Sequence, residues 1–253
     1  AAPQDNASGA GTPALPTSDN TSSPDIPGTI TVILTQYKRP TLRSAIANIR
    51  KQSVPISEII VYQNKNYQNN SDVLSHSNYS DIRYIHNSNY NTGFFGRFSI
   101  PLILNTEYVA IFDDDTIPAK DWLKNCIRII NTFNAICGAN GRIVIPPKRQ
   151  MLSVKLPHPN DVEVDFVGHC WVFKRKWVYH MWRTSPSTLA TAEDIHFSAS
   201  AWVYGGVKTY VPKMPKGPLG RKMWPTRGRE VEPDLDGDEH ASWRYYEQFL
   251  RGR

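Results

Sequence analysis

Three consecutive aspartates, Asp113, Asp114 and Asp115, are the residues of this chain best suited to do chemistry. They directly follow the apolar run Val109-Ala110-Ile111-Phe112, which is typical of a buried β-strand. Three carboxylates so close together repel one another, and a divalent cation relieves that repulsion. Hard oxygen ligands favour Mg²⁺ or Mn²⁺, and such an ion stabilises a departing diphosphate. The triplet therefore predicts a metal site that serves a substrate containing phosphate.

The alternation of side chains along a strand divides the triplet. Asp113 and Asp115 project to one side of an extended chain and Asp114 to the other, so we expect only the first two to share a metal–nucleotide complex. The alternative is a solvated acidic turn, but Asp121 is a better N-cap for the helix that follows. The same motif occurs in phosphatases and other phosphoryl-transfer enzymes, so the triplet alone does not define the reaction.

Strands and helices alternate in the first half of the chain. The patterns predict strands over 29–34, 58–63, 82–86 and 107–112, helices over 40–50 and 122–132, and a helical stretch over 94–104 that Pro101 interrupts. This alternation indicates an α/β fold with a mostly parallel central sheet and helices on both faces. Ligands of such sheets bind beyond the carboxyl ends of the strands, which is where the aspartates lie.

The second half of the chain is less regular. Its patterns predict extended segments over 135–145, 162–166, 170–173 and 208–211, a helix over 192–204, a long charged loop over 212–238 and a closing helix over 239–250. Residues 1–28 differ from both halves because small and polar residues dominate them, which predicts a flexible stem or linker. No run of 18 or more apolar residues occurs, so we expect no membrane-spanning helix.

Composition sets broad limits on function. The chain has 253 residues, 40% of them hydrophobic, which is enough for one sizeable core. A formal net charge of +6 suits an anionic substrate, whether a nucleic acid, a nucleotide sugar or an anionic glycan, and no nucleic-acid-binding module is recognisable. Cys126, Cys137 and Cys170 lack zinc-ligand spacing. They leave two alternatives, which are one disulfide with a free thiol or three buried thiols.

Several segments together resemble the GT-A fold glycosyltransferases. Ile33 to Pro40 is similar to the first strand and nucleotide loop of that class, and Ser57 to Asn64 to its second strand. Asn91 to Phe98 lies where those enzymes carry a donor-binding segment, and Ala192 to Ile195 resembles their later acidic motif. The segments occur in the expected order within residues 29–212. The resemblance implies a GT-A type, Rossmann-like fold.

Within that class, the exostosin-like transferases give the closest resemblance. Gly96-Arg97-Phe98 ahead of the aspartates is similar to theirs, and so is Glu239-His240-Ala241-Ser242-Trp243-Arg244. Ala192-Glu193-Asp194 departs from their usual Cys-Asp-Asp or Cys-Glu-Asp. The resemblance implies one domain over 29–253. Its nucleotide-sugar-binding half is 29–115 and its less regular acceptor-binding half is 116–253.

The resemblance also implies roles for individual residues. Those implied to bind the nucleotide are Thr35, Gln36, Tyr37, Arg39, Asn64, Arg97, Asp113 and Asp114. The implied metal ligands are Asp113, Asp115 and His240, and the implied catalytic residues are Asp194 and Arg244. Asp194 is expected to be the base for an acceptor hydroxyl, or to position that hydroxyl if it attacks from the leaving-group face. Arg244 is expected to steady the leaving phosphates, and His169 is a weaker candidate for the site.

Together with the aspartate triplet, the resemblance implies a metal-dependent glycosyltransferase that uses Mn²⁺ or Mg²⁺ and a UDP-sugar donor. The donor sugars left open are xylose, N-acetylglucosamine and glucuronate, and the expected acceptor is an oligosaccharide or a glycoprotein. Two alternatives are a phosphoryl-transfer enzyme that uses the same carboxylates and a non-catalytic carbohydrate-binding module. We expect no nucleic-acid partner and no membrane contact by this chain itself.

The sequence also carries a prediction about the cellular compartment. N-glycosylation sequons begin at Asn6, Asn20, Asn69 and Asn78. Sequons together with a polar stem are what a membrane-anchored lumenal enzyme shows once its anchor is removed. They favour the lumen of the secretory pathway, or the host-cell equivalent for a viral enzyme.

Overall fold

The computed structural model describes residues 25–65, 67–145, 150–155 and 158–213, and the fold is given for these residues. The strands are β1 (Ile26–Gln36), β2 (Glu58–Asn64), β3 (Ile82–Asn87), β4 (Thr106–Phe112), β5 (Ala135–Cys137), β6 (Asn140–Ile145), β7 (Gln150–Lys155), β8 (Val162–Glu163), β9 (Phe166–Gly168), β10 (Cys170–Lys174) and β11 (Lys208–Val211). The α-helices are α1 (Leu42–Ile49), α2 (Ser71–Leu74), α3 (Trp122–Phe133), α4 (Val178–Met181) and α5 (Glu193–Gly205). Short 3₁₀ helices cover Ser77–Tyr79, Gly96–Ile103 and Arg175–Trp177.

The main sheet contains eight strands in the order β3-β2-β1-β4-β10-β5-β11-β8. β1 pairs in parallel with β2 and β4, β2 pairs in parallel with β3, and β11 pairs in parallel with β5. β10 is antiparallel to its neighbours β4 and β5, and β8 is antiparallel to β11. A second, antiparallel sheet has the order β7-β6-β9. The predicted α/β fold, with a mostly parallel central sheet flanked by helices, is confirmed.

The centre of the main sheet is buried because the middle of β1, over 32–34, and the end of β4, over 109–112, are apolar. Val32 and Ile33 of β1 and Ile111 of β4 are fully buried. Such continuous apolar runs are typical of parallel strands that are covered on both faces. Helix α3 packs an apolar face that includes the fully buried Trp122, and it ends at Asn134, whose φ of 52° lies in the left-handed region favoured for helix termination.

The start of the domain differs from the prediction. The predicted stem covers residues 1–28, but β1 already begins at Ile26, which pairs with Thr106 of β4. The Gly28 amide donates a hydrogen bond to Glu107 at 2.7 Å, so the neighbouring edge holds this segment as a strand. Residues 1–24, with two of the four sequons, lie outside the described residues.

The second half contains more strands than predicted. The extended segment predicted over 135–145 is two strands in different sheets, because the chain turns at Gly138. A Cβ atom there would lie 2.4 Å from Val167 Cβ, so only glycine fits. The strand predicted over 162–166 is likewise divided between β8 and β9, and β7 was not predicted.

Two helical predictions are refined. The stretch predicted over 94–104 is the 3₁₀ helix Gly96–Ile103, and it contains Pro101, which has no N–H to donate. Asp121 stands at the N-cap of α3, but its side chain makes no capping hydrogen bond. The closing helix predicted over 239–250, and the loop from residue 214 onward, lie outside the described residues.

The cysteine alternatives are resolved. Cys126, Cys137 and Cys170 are all buried free thiols, as in the second alternative. Burial raises the pKa of Cys126 and of Cys170 well above the usual value for a thiol. In the part of the chain that the structure describes, no helix is both long and apolar enough to cross a bilayer.

Candidate active site

The carboxyl ends of β2, β1 and β4 lie side by side and open into a cavity of about 370 Å³. β1 continues into the loop 37–39, β2 ends at Asn64, and β4 runs directly into the aspartate triplet. The residues that line this first cavity are Thr35, Tyr37, Lys38, Arg39, Tyr62, Asn64, Asn91, Gly93, Phe94, Arg97, Asp113, Asp114, Asp115, His169 and Ala190. The sheet thus gathers seven of the eight predicted nucleotide-binding residues at one edge.

Asp114 fastens the loop after β1 to the end of β4. Its Oδ2 accepts hydrogen bonds from the backbone amides of Lys38 and Arg39, both at 3.0 Å, and its Oδ1 accepts one from Arg39 at 3.2 Å. Thr41 donates a further hydrogen bond to the Asp114 carbonyl. Burial raises the pKa of Asp114 above its usual value. Its carboxylate therefore holds a loop that lines the cavity. This agrees with the side-chain alternation, which predicts that Asp114 points away from the side shared by Asp113 and Asp115.

Asp113, Asp115 and His169 form the group of described residues that could hold a metal ion. One ligand atom from each lies within 4.8 Å of the others. His169 Nδ1 is buried without a hydrogen-bond partner among the described residues, and it lies 4.0 Å from Asp115 Oδ1. The Asp115 carboxylate raises the pKa of His169. Burial opposes ionisation of Asp115, but His169 and Arg39 outweigh burial and lower the pKa of Asp115.

The backbone brings His169 to this position at a conformational cost. His169 has a φ of 66°, in the left-handed region that residues with a Cβ rarely adopt. Its carbonyl accepts a hydrogen bond from the Asp113 amide at 3.1 Å, just before β10 begins its antiparallel pairing with β4. Strained residues of this kind concentrate at functional sites, where the surrounding structure holds them in place.

Arg97 is a buried cation that joins the triplet to helix α5. Its side chain is 5% exposed, it is ion-paired with Asp113, and it contacts Glu193 at 2.8 Å. The guanidinium also lies 4.5 Å from the ring centroid of Trp171. Burial alone would lower the pKa of Arg97, but Asp113 and Glu193 outweigh burial and raise it. Arg97 therefore keeps its charge in the interior, as an anion-binding residue must.

Two predicted nucleotide-binding residues have roles within the protein. Asn64 donates to Asn91 Oδ1 at 2.7 Å and accepts from the Thr92 amide at 3.1 Å, so it fixes the turn that forms one cavity wall. Gln36, which was also predicted to line the pocket, is not among the residues that line this cavity: it is 1% exposed, and its amide donates to the carbonyl of Arg39. Alternation along β1 turns Gln36 away from the side that Thr35 faces.

Tyr37 and Lys38, which line the first cavity, both contact the ring of Tyr67. Tyr37 and Tyr67 meet edge to face, with their ring centroids 4.7 Å apart. Lys38 Nζ lies 5.2 Å from the Tyr37 ring and 5.1 Å from the Tyr67 ring. Such a combination offers a flat surface to a base and positive charge to a phosphate.

A second cavity of about 200 Å³ adjoins the first and contains Asp194. The two cavities share Phe94, Arg97, Asp113 and His169, so the candidate metal group lies where they meet. Asp194 Oδ1 accepts a hydrogen bond from the Ile195 amide at 2.8 Å. Burial raises the pKa of Asp194 to about 6. A partly buried carboxylate with this pKa can take a proton from a hydroxyl near neutral pH.

Glu193, next to Asp194, has a different environment. It is paired with Arg97, and burial together with the Asp194 charge raises its pKa to about 7. Ala192, immediately before it, has a φ of 67°, so α5 also begins from a strained residue. Both carboxylates line the second cavity, but Glu193 is ion-paired with the buried arginine, whereas Asp194 accepts a hydrogen bond from a backbone amide.

The remaining predicted site residues are His240 and Arg244, and they lie outside the described residues. His169 takes the third place in the candidate metal group, although it was only a weak candidate in the sequence analysis. His169 could have been identified from the apolar run that begins at Cys170, because this run forms strand β10, which is antiparallel to β4. Cys170 pairs with Phe112, so the preceding residue must stand beside Asp113.

Comparison with solved structures agrees with the fold. Residues 1–349 of TarS from S. aureus superpose with a TM-score of 0.53 at 15% sequence identity, over 73% of this chain and 60% of that one. A longer TarS structure gives a TM-score of 0.52 at 15% identity, over 74% of this chain and 37% of that one. The chain therefore spans less than two thirds of either structure. At this identity the likeness concerns the fold alone, which is that of the GT-A class.

The family assignment rests on the sequence. The model of glycosyl transferase family 2 matches residues 31–182, which is more than half of the chain, and the chain belongs to this family. The matched region contains the aspartate triplet, Arg97 and His169, whereas Asp194 lies beyond it. Nothing in either comparison is specific to the exostosin-like transferases. No curated protein sequence matches the chain.

Proposed function

We propose that the chain transfers a sugar from a nucleotide diphosphate donor to a hydroxyl group of a glycan acceptor, with the help of a divalent metal ion. The observation that carries this proposal is the junction of the two cavities. Asp113 and His169 line both of them, so a diphosphate bound there has space for a nucleoside on one side and Asp194 on the other.

The residues at the junction fit a divalent ion. Two carboxylates and an imidazole suit Mn²⁺ and are also compatible with Mg²⁺. The buried His169 Nδ1 has no hydrogen-bond partner among the described residues, which is consistent with a ligand or donor role. Asp113, Asp115 and His169 would hold the ion, and its positive charge would neutralise the diphosphate as the leaving group forms.

The first cavity is assigned to the nucleotide and its phosphates. Thr35 Oγ1 is buried there without a hydrogen-bond partner in the described part of the chain, so it is free to bond a ribose or base. Tyr37 offers a face to the base. Arg39 lies 2.8 Å from Asp115 and Arg97 beside Asp113, so both guanidinium groups stand where phosphate oxygens would arrive. Guanidinium groups bind phosphate through two parallel hydrogen bonds.

Asp194 is proposed as the base for the acceptor. The acceptor oxygen forms a bond to C1 of the donor sugar while the bond from C1 to the diphosphate oxygen breaks. The electron pair of that bond leaves with the diphosphate, and the acceptor proton passes to Asp194. The Ile195 amide holds Oδ1, which leaves Oδ2 as the oxygen for the proton. If the acceptor attacks from the leaving-group face instead, Asp194 positions the hydroxyl.

Several finer features of the function are also part of the proposal. The donor is a UDP-sugar, with xylose, N-acetylglucosamine and glucuronate as candidates, and the acceptor is an oligosaccharide or glycoprotein. The subgroup proposed is the exostosin-like transferases, on the residues that carry that resemblance. The compartment proposed is the secretory lumen or its viral equivalent, supported by the exposure of both described sequon asparagines, Asn69 and Asn78.

A screen of nucleotide-sugar hydrolysis with Mn²⁺ tests the proposal. Hydrolysis of at least one UDP-sugar is expected, because water replaces the acceptor when none is present. Asp115→Ala should abolish it, and EDTA should reproduce the loss in the wild type. Asp81→Asn is a matched control, because Asp81 is exposed and pairs with Arg50 away from the cavities. Metal-independent hydrolysis, or release of free phosphate instead of UDP, would contradict the proposal.

A further inference from the structure

The second cavity has one wall that the proposed reaction does not use. Asn140 and Arg142 lie two residues apart on β6, so their side chains project from the same face of the small sheet. The strand register places Asn140 opposite Gly168 and Arg142 opposite Phe166. All four residues line the cavity that contains Asp194. The small sheet therefore presents a cation and an amide to the same space as Asp194.

Arg142 differs from the other two arginines of the site. Arg39 and Arg97 are each ion-paired with carboxylates of the site. Among the described residues, Arg142 forms no salt bridge, and its NH1 donates only to the carbonyl of Gly141 at 3.3 Å. A guanidinium group has five N–H donors and keeps its charge at all ordinary pH values. Arg142 thus brings a permanent charge and unmatched donors to the cavity.

The rest of this cavity is suited to a sugar ring. Phe94 and Phe166 supply apolar surface, as is typical of small-molecule sites. Trp171 also lines the cavity, is 1% exposed, and has no hydrogen-bond partner for Nε1 within the described ranges. A buried donor without a partner is uncommon and is accounted for when a ligand hydroxyl accepts from it.

We propose that Arg142 determines specificity for a sugar that carries a carboxylate, binding it through two parallel hydrogen bonds. The inference rests on the proposed function, because it places this sugar between Asp194 and Arg142 in the second cavity. The acidic sugar is the unit transferred from the donor or the end unit of the acceptor, and both present the same chemistry. Glucuronate and glucose differ only at C6, so they form a matched pair of probes.

The first arm of the test measures hydrolysis of UDP-glucuronate and UDP-glucose with Mn²⁺. If the donor carries the acid, the wild type should prefer UDP-glucuronate by about 10- to 100-fold in kcat/KM, the range for a charge-assisted hydrogen bond. Arg142→Gln should remove this preference. Arg142→Lys should retain part of it, because lysine keeps the positive charge but lacks the paired N–H donors of the guanidinium group. Arg183→Gln is the control, because Arg183 is exposed and stacks on Tyr204.

The second arm places the acid on the acceptor. With UDP-glucose as donor, methyl glucuronoside should accelerate UDP release more than methyl glucoside does. Arg142→Gln should abolish this difference. A preference in either arm that depends on Arg142 supports the inference and identifies which substrate carries the acid.

Measuring the Kd for UDP distinguishes a failure of this inference from a failure of the proposed function. Calorimetry with Mn²⁺ should give the same Kd for UDP in the wild type and in Arg142→Gln. Weaker UDP binding in the variant would show that Arg142 serves the diphosphate, and it would overturn the inference. Normal UDP binding without an acid preference in either arm would overturn the inference alone. A wild type that does not bind UDP would overturn the proposed function and this inference with it.

Discussion

Replacing Arg97 with methionine tests the buried charge network directly. The side chains of Arg97, Glu193 and Asp113 are 5%, 9% and 25% exposed, so the substitution leaves Glu193 as a buried carboxylate without its cation. Removing one partner of a buried ion pair costs about 3–5 kcal/mol. We expect about 3 kcal/mol, because Asp113 is partly hydrated and Glu193, with its pKa already raised to about 7, can bind a proton instead. For a domain of this size, that corresponds to a decrease in Tm of about 6–12 °C.

The pH dependence of this loss has a definite sign. In Arg97→Met the folded-state pKa of Glu193 lies even further above its unfolded value than the wild-type value of about 7 does. In the pH window between the wild-type and variant pKa values, folded Arg97→Met therefore binds more protons than its unfolded state does. Stability of the variant therefore falls, relative to the wild type, as the pH rises through the window. Melting curves by differential scanning fluorimetry should show a small deficit at about pH 5 and a deficit that grows as the pH rises above about 7.

Two further variants act as controls. Arg50→Met removes an exposed pair with Asp81, whose side chains are 35% and 63% exposed, and such pairs are worth about 0–1 kcal/mol. Its Tm should fall by less than about 4 °C. The double variant Arg97→Met with Glu193→Gln should recover most of the loss, because removing both partners is nearly neutral. An unchanged Tm in Arg97→Met, or no recovery in the double variant, would refute the reasoning.

Three other outcomes are expected. Asp194→Asn should lower the rate of sugar transfer about 100- to 10,000-fold but leave the Kd for UDP unchanged. The control Asp121→Asn, which removes no capping hydrogen bond, should change neither quantity. Normal transfer by Asp194→Asn would exclude Asp194 as the base. The kcat/KM of the wild type should fall as the pH drops below about 6, because burial raises the pKa of Asp194 to about 6 and only the ionised carboxylate accepts a proton. A kcat/KM that does not change with pH in this range would contradict the role of Asp194. Ellman's reagent should label none of Cys126, Cys137 and Cys170 until the protein unfolds, and rapid labelling of the native protein would show that the thiols are accessible.

The parallel half of the fold could be predicted because its signals are local. The strands predicted over 29–34, 58–63, 82–86 and 107–112 are rich in apolar and β-branched residues, and each lies within an observed strand. The division of 135–145 into two strands was missed because it depends on tertiary packing. Gly138 turns the chain against Val167, almost thirty residues later, and no local pattern reports such a contact.

The site shows the same division between local and tertiary information. The aspartate triplet and the alternation of its side chains are properties of one strand, so the separate contacts of Asp114 followed from the sequence. His169 reaches Asp115 only because β10 is antiparallel to β4, and the pairing partner of a strand is not encoded locally. The contact between Glu193 and the buried Arg97 is tertiary in the same way, because the two residues are 96 positions apart in the sequence.

The most direct test of the account is isothermal titration calorimetry of UDP with and without Mn²⁺. The wild type should bind UDP only when Mn²⁺ is present, and His169→Ala should weaken that binding strongly. His86→Ala should bind as the wild type does, because His86 lies exposed on β3. Equal binding of UDP with and without Mn²⁺, or unchanged binding in His169→Ala, would contradict the assignment of Asp113, Asp115 and His169 as the metal site.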